Sequence, residues 1–207
     1  RDDTRIVGVR IKGLLIAFAA IVAMSSAAVP APQQGASMTV GNVTSQPIGH
    51  YDFCQRHTDE CGPTRNIGPV DMNAAAWALV NQINLRVNKT IRPATDMEVY
   101  GQEEYWEYPK TAGDCEDFAL LKRKILMQSG ISASNLLMTV VRKPDGEGHA
   151  VLTLRTKQGD FILDNLEDEI KVWTRTPYSY LKRQASFNAG RWVTIENGSD
   201  VLVGAVK

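Results

Sequence analysis

The amino-acid sequence predicts an α+β domain in which one helix packs on an antiparallel sheet, and three observations carry that expectation. Residues 113–130 have the helical period, the residues after Gly130 alternate over three short runs, and turn-forming residues separate those runs. With 207 residues, 43% hydrophobic and 22% charged, the composition is that of a globular protein long enough for one sizeable core. Lys plus Arg and Asp plus Glu number 23 each, so the basic excess that nucleic-acid binding demands is absent.

At the start, Arg10 and Lys12 precede an apolar run over residues 13–24, followed by Ser25, Ser26, Ala27 and Ala28. A basic flank, a short apolar run and small residues predict a signal peptide over residues 1–27, removed on export to the periplasm. The run falls short of the ~20 residues a spanning helix needs; an uncleaved anchor is the competing reading. Residues 28–48, rich in Pro, Gly, Ser and Gln, read as an extended, flexible leader to a domain over 49–207. In an oxidising compartment Cys54 and Cys61 are expected to form a disulfide. Zinc held with His50 and His57 competes, but the spacing matches no usual zinc pattern.

Pro69 and Asp71 signal a helix start, and Ala76, Val80, Ile83 and Val87 form one stripe up to Thr90, broadened by Trp77 and Leu79. Residues 91–112 hold Asp96, Tyr100, Gly101, Tyr105, Trp106, Tyr108 and Pro109, an aromatic loop that either walls a cleft or covers the core. In the helix that follows, Phe118, Leu121, Ile125 and Leu126 form the apolar face and Gly130 is the stop. Cys115 stands at its first turn, where unpaired N–H groups and partial positive charge favour a thiolate.

Residues 135–142, 149–155 and 160–164 then read as strands, with turns at 144–146 and 157–160 that fold them into a meander. The remainder supplies Trp173, Tyr178, Tyr180 and Leu181 and one further strand over 191–195. His149 opens one strand and Asp164 closes the next, so antiparallel pairing brings the carboxylate within reach of the imidazole. A thiol nucleophile needs a base, and the base needs a group to orient it. Alone, each residue has a bland reading: an inert buried thiol, a surface histidine, a turn aspartate. The order Cys115, His149, Asp164 on a helix and two adjacent strands favours catalysis. The Cys115 main-chain N–H is the obvious oxyanion donor, with the Trp106 indole or the Gln102 amide as a second.

Three blocks resemble the signatures of the bacterial transglutaminase-like cysteine proteinases: Gly113-Asp114-Cys115-Glu116-Asp117-Phe118-Ala119-Leu120-Leu121-Lys122, Gly148-His149-Ala150-Val151-Leu152 and Gly159-Asp160-Phe161-Ile162-Leu163-Asp164-Asn165. The likeness runs from about Tyr51 to Trp192 and includes Tyr105-Trp106 and Pro109. It implies a papain-like or transglutaminase-like core, with Cys115 as nucleophile, His149 as general base and Asp164 as orienter. It also implies calcium on the acidic residues around the nucleophile, Asp114, Glu116 and Asp117. Electrostatics agrees, because carboxylates beside a thiolate oppose it unless a cation or hydrogen bonds neutralise them; the alternative is that they only favour the helix start. A protein substrate, a cell-surface adhesin in particular, and a membrane-bound regulatory partner are further implications. Two readings compete with a peptidase: acyl transfer to an amine or hydrolysis of cell-wall amides by the same triad, and a binding module in which Cys115 is inert.

Overall fold

The computed structural model describes residues 35–198; the expected signal peptide lies outside them. In chain order the elements are β1 (Val40–Thr44), α1 (Ile48–Arg56), α2 (Ala74–Thr90), β2 (Arg92–Pro93), α3 (Asp96–Tyr100), β3 (Ala112–Gly113), α4 (Cys115–Gln128), β4 (Leu136–Arg142), β5 (Gly148–Thr156), β6 (Gly159–Leu163), β7 (Lys171–Val172), β8 (Ser179–Ala185) and β9 (Asn188–Ile195). Seven strands form one antiparallel sheet in the order β1-β9-β8-β4-β5-β6-β7, while β2 and β3 form a separate parallel ribbon.

The expected meander is present as β4, β5 and β6. Its strands are buried on both faces, with Leu136, Met138, Leu152, Leu154, Phe161 and Leu163 on one and Leu137, Val151 and Ile162 on the other. The helix expected around Cys115 runs over Cys115–Gln128 and packs on β4, β5 and α2. Beyond it, Gly130 takes a φ of 98°, which favours glycine. Phe118 and Leu126 are buried as expected, Leu121 and Ile125 only partly. Glu116, Asp117, Lys122 and Arg123 are buried too, so α4 is enclosed well beyond its apolar stripe.

Three expectations need correction. Residues 35–48 are not a free leader: Val40–Thr44 is an edge strand paired to β9, Met38 is buried, and the Met38 N–H donates to Asp160 Oδ2 at 2.9 Å. The helix expected from Pro69 starts at Ala74, where the Asn73 side chain accepts the Ala76 N–H at 2.8 Å. Val70 instead makes a parallel bridge to Thr156, which spends its backbone groups on β5. The C-terminal third contains two long strands, β8 and β9, and β8 pairs with β4 on the side away from β5.

Cys54 and Cys61 form a disulfide. His50, considered for zinc, is a core residue: it accepts the Trp192 indole N–H at Nδ1 and burial, with the Arg123 charge, lowers its pKa to about 3. Both sulfurs beside it are in the disulfide, so the zinc reading has no thiolates to use.

Candidate active site

The β2–β3 ribbon sets the start of α4 beside the start of α3. Thr95 caps α3 in a reciprocal capping box with Glu98, which fixes Asp96 in its first turn. Gly113 leads through Asp114 into Cys115 at the first position of α4. Cys54 and Cys61 being paired, Cys115 is the chain's one free thiol, and it is half-buried.

Strand register brings the other two expected residues to it. Leu152 lies opposite Leu163, so one step further Asp164 falls across from Val151, on the face that His149 shares. His149 Nε2 and Asp164 Oδ1 are 2.9 Å apart, and both side chains are buried. The Ala150 N–H donates to Cys115 Sγ at 3.4 Å, and Cys115 and His149 line one cleft. Asp164 is over-determined: Oδ1 also accepts the Leu166 N–H at 3.0 Å, and the Tyr178 hydroxyl donates to Oδ2 at 2.6 Å. Burial raises the Asp164 carboxyl, but the hydrogen bonds and the nearby imidazole outweigh it and leave the pKa below its ordinary value.

The cleft, about 440 Å³, has Pro47, Ile48, Trp106, Val140 and Lys182 in its walls. Cys115 also lines a second hollow of about 360 Å³, walled by Pro93, Ala94, Thr95, Glu98, Asp114 and Asn165. The thiol therefore sits where two open hollows meet.

Trp106 is buried, yet it lines the cleft, and its indole N–H has no hydrogen-bond partner among the described residues. Both readings of the aromatic loop thus hold for this one ring. Gln102, the other expected oxyanion donor, is exposed in the turn after α3 and is not in the cleft wall.

The acidic residues divide in two. Asp114 and Asp117 meet Asp96, their carboxylate oxygens all within 4.8 Å of one another. Glu116 is outside that trio but against Asp114, and it accepts the Cys115 thiol at 3.0 Å. Asp96, which the sequence assigns only to the aromatic loop, completes the trio without a sequence signal for it; its capping-box position signals a helix start and nothing more. Burial first, then the Asp114 charge, pushes Glu116 up to about 9. Burial likewise pushes Asp117 up to about 8 and Asp114 to about 6. Burial and the Glu116 carboxylate raise the Cys115 thiol well above its ordinary value, against the expectation from the helix start alone. Two members of the trio also grip the aromatic loop: Asp96 accepts the Tyr105 N–H and Asp117 Oδ1 the Glu107 N–H, the amides on either side of Trp106.

Residues 40–200 match the profile of the family described as bacterial transglutaminase-like cysteine proteinase. The chain belongs to that family. It is a cysteine peptidase with a transglutaminase-like α+β fold, and its substrate is protein. No curated protein matches it. Among solved structures, calcium-bound LapG of Legionella pneumophila aligns with 23% identity over 63% of this chain and 80% of that one, with a TM-score of 0.48. A second structure of the same protein aligns with 27% identity over 62% and 73%, with a TM-score of 0.49. An EGTA-treated form gives 26% identity over 59% and 69%, also at 0.49.

Proposed function

We propose that this proteinase is an exported, calcium-dependent endopeptidase that cuts a surface protein through a thioester on Cys115. The observation that carries the endopeptidase reading is that the thiol lines two open hollows, which leaves room around it for a length of polypeptide chain.

In this mechanism His149 Nε2 is engaged by Asp164, so Nδ1 is the nitrogen left to take the thiol proton. The sulfur attacks the carbonyl carbon, and the resulting oxyanion is met by the Cys115 main-chain N–H and the unpartnered Trp106 indole N–H. The imidazolium returns its proton to the departing amine, leaving a thioester. Water, deprotonated by His149, then adds to the thioester; collapse releases the new carboxyl end and the thiol.

Asp96, Asp114 and Asp117 suit a hard, oxygen-seeking cation, because Asp96 Oδ1 and Asp114 Oδ1 are buried with no hydrogen-bond partner among the described residues. Calcium bound there would supply positive charge beside a thiol that burial and the neighbouring carboxylates otherwise hold protonated. Export is supported by the basic-apolar-small pattern of residues 1–27 and by the disulfide. A cell-surface adhesin as substrate and a membrane-bound regulator follow from the family resemblance.

Incubation of the mature protein with a bacterial surface-protein fraction, calcium and methylamine, followed by mass spectrometry, tests the reaction. The expected products are new internal N-termini, lost with Cys115→Ala. Methylamine incorporation without new N-termini would make the protein an acyl transferase instead.

A further inference from the structure

Lys122 is fully buried in α4, two turns below Cys115, and its Nζ donates to the main-chain carbonyl of Asp164 at 2.9 Å. No carboxylate lies within ion-pair distance of it among the described residues; Asp164 and Asp168 act on it only at longer range. An ammonium placed in a protein interior without a counter-ion is costly, and a Met or Leu of similar volume would fill the same space at lower cost. Packing therefore gives no account of a lysine here.

Its partner does. Asn88 Nδ2, from α2, donates to the same Asp164 carbonyl at 2.9 Å and to Asp168 Oδ1 at 2.9 Å, and Asn84 Nδ2 holds the Asp168 carbonyl at 3.0 Å. Two helices thus reach under the sheet to fix the main chain at the residue where β6 ends. Asp164 is the first residue past the paired ladder, so the neighbouring strand no longer sets its backbone. Its carboxylate must nevertheless meet His149 Nε2 at hydrogen-bond distance.

We propose that Lys122 is a positioning residue for the Cys115–His149–Asp164 triad, acting through the main-chain carbonyl of Asp164. The inference rests on the triad reading above. α4 then contributes twice, with the nucleophile at its first turn and, seven residues on, the donor that anchors the base's orienting residue. Burial brings the Lys122 pKa down to about 7, so its hold on the carbonyl is electrostatic only in part; a neutral amine still donates.

The test is proton NMR of the His149 imidazole N–H that faces Asp164, read alongside the alkylation rate of Cys115 by iodoacetamide. Lys122→Met is expected to stay folded, with a melting temperature equal to or above wild type. Its imidazole proton should move upfield and exchange faster, and alkylation should slow about tenfold, as when a residue supporting a site's geometry is lost. Lys124→Met, whose ammonium lies over the Tyr108 ring, should change neither signal. An unaltered imidazole proton and alkylation rate in folded Lys122→Met would overturn the proposal. If Lys122→Met does not fold, Lys122→Leu, which likewise removes the donor, is judged by the same two outcomes. Asp164→Ala serves as the reference: if it too leaves alkylation unchanged, the triad reading fails rather than the role of Lys122.

Discussion

Trp106 combines two properties that rarely coincide, a buried ring and an N–H with nothing to bind. An unpaired buried donor costs stability, of order 1–3 kcal/mol, unless it has a task that the resting protein does not display. Trp106→Phe removes that donor and should lower turnover by about 10²-fold while the melting temperature stays within a few degrees. Steady-state cleavage beside a thermal melt checks this, and unchanged turnover would remove the indole from the mechanism. Glu116 is the residue whose surroundings depart furthest from a sequence-level view. Its position next to the nucleophile suggests a metal ligand, whereas its side chain receives the thiol. Glu116→Gln keeps an acceptor for the thiol but loses the charge that raises the Cys115 pKa. In metal-free protein the alkylation rate of Cys115 should therefore rise sooner with pH than in wild type; a profile shifted the other way would reverse the assigned sign.

At the level of elements, α1 acts on the site through its close approach to the aromatic loop. A Cβ at Gly49 would collide with the Trp106 indole ring and lie 2.6 Å from the Glu104 carbonyl oxygen. Gly49→Ala should cost about 1–3 kcal/mol by overpacking and lower turnover by displacing Trp106, measurable by chemical denaturation and by cleavage rate. The elements legible in the sequence are those specified by their own period and turns. Residues 136–163 alternate and are punctuated by Gly146 and Gly159, and α4 carries Phe118 and Leu126 at helical spacing. What was not legible depends on distant partners. Val40–Thr44 becomes a strand because β9, about 150 residues later, offers it an edge. Asp96 joins Asp114 and Asp117 because a ribbon of two residues per strand joins their helices, too short to have a pattern. Lys122 within a helix reads as a solvent-facing charge, and only packing on β5 and α2 buries it.

For the whole molecule, the buried carboxyls make stability depend on pH and on cations together. Asp117 and Glu116 have folded-state pKa values of about 8 and about 9, raised above the ordinary carboxyl range that they have when unfolded. Between those limits the folded chain binds more protons than the unfolded one, so stability falls as pH rises. Metal-free protein should therefore melt at a lower temperature at pH 9 than at pH 5. Calcium should narrow that difference, raising the melting temperature more at pH 8, where it has ionised carboxylates to meet, than at pH 5. A calcium effect equal at both pH values would separate the cation from these side chains. The architecture has the same logic: the sheet fixes His149 and Asp164, α4 supplies the thiol, and the aromatic loop gripped by Asp96 and Asp117 supplies the remaining wall.

The measurement that bears most directly on the triad is the rate of Cys115 alkylation against pH, with calcium and then with chelator, in wild type and in His149→Ala. The single free thiol makes one adduct per chain unambiguous. With calcium, the wild-type rate should rise well below the ~8.5 of an ordinary thiol. His149→Ala should abolish that early rise, and chelation should move it upward. A profile that is the same with and without the imidazole would contradict Cys115 and His149 working as a pair.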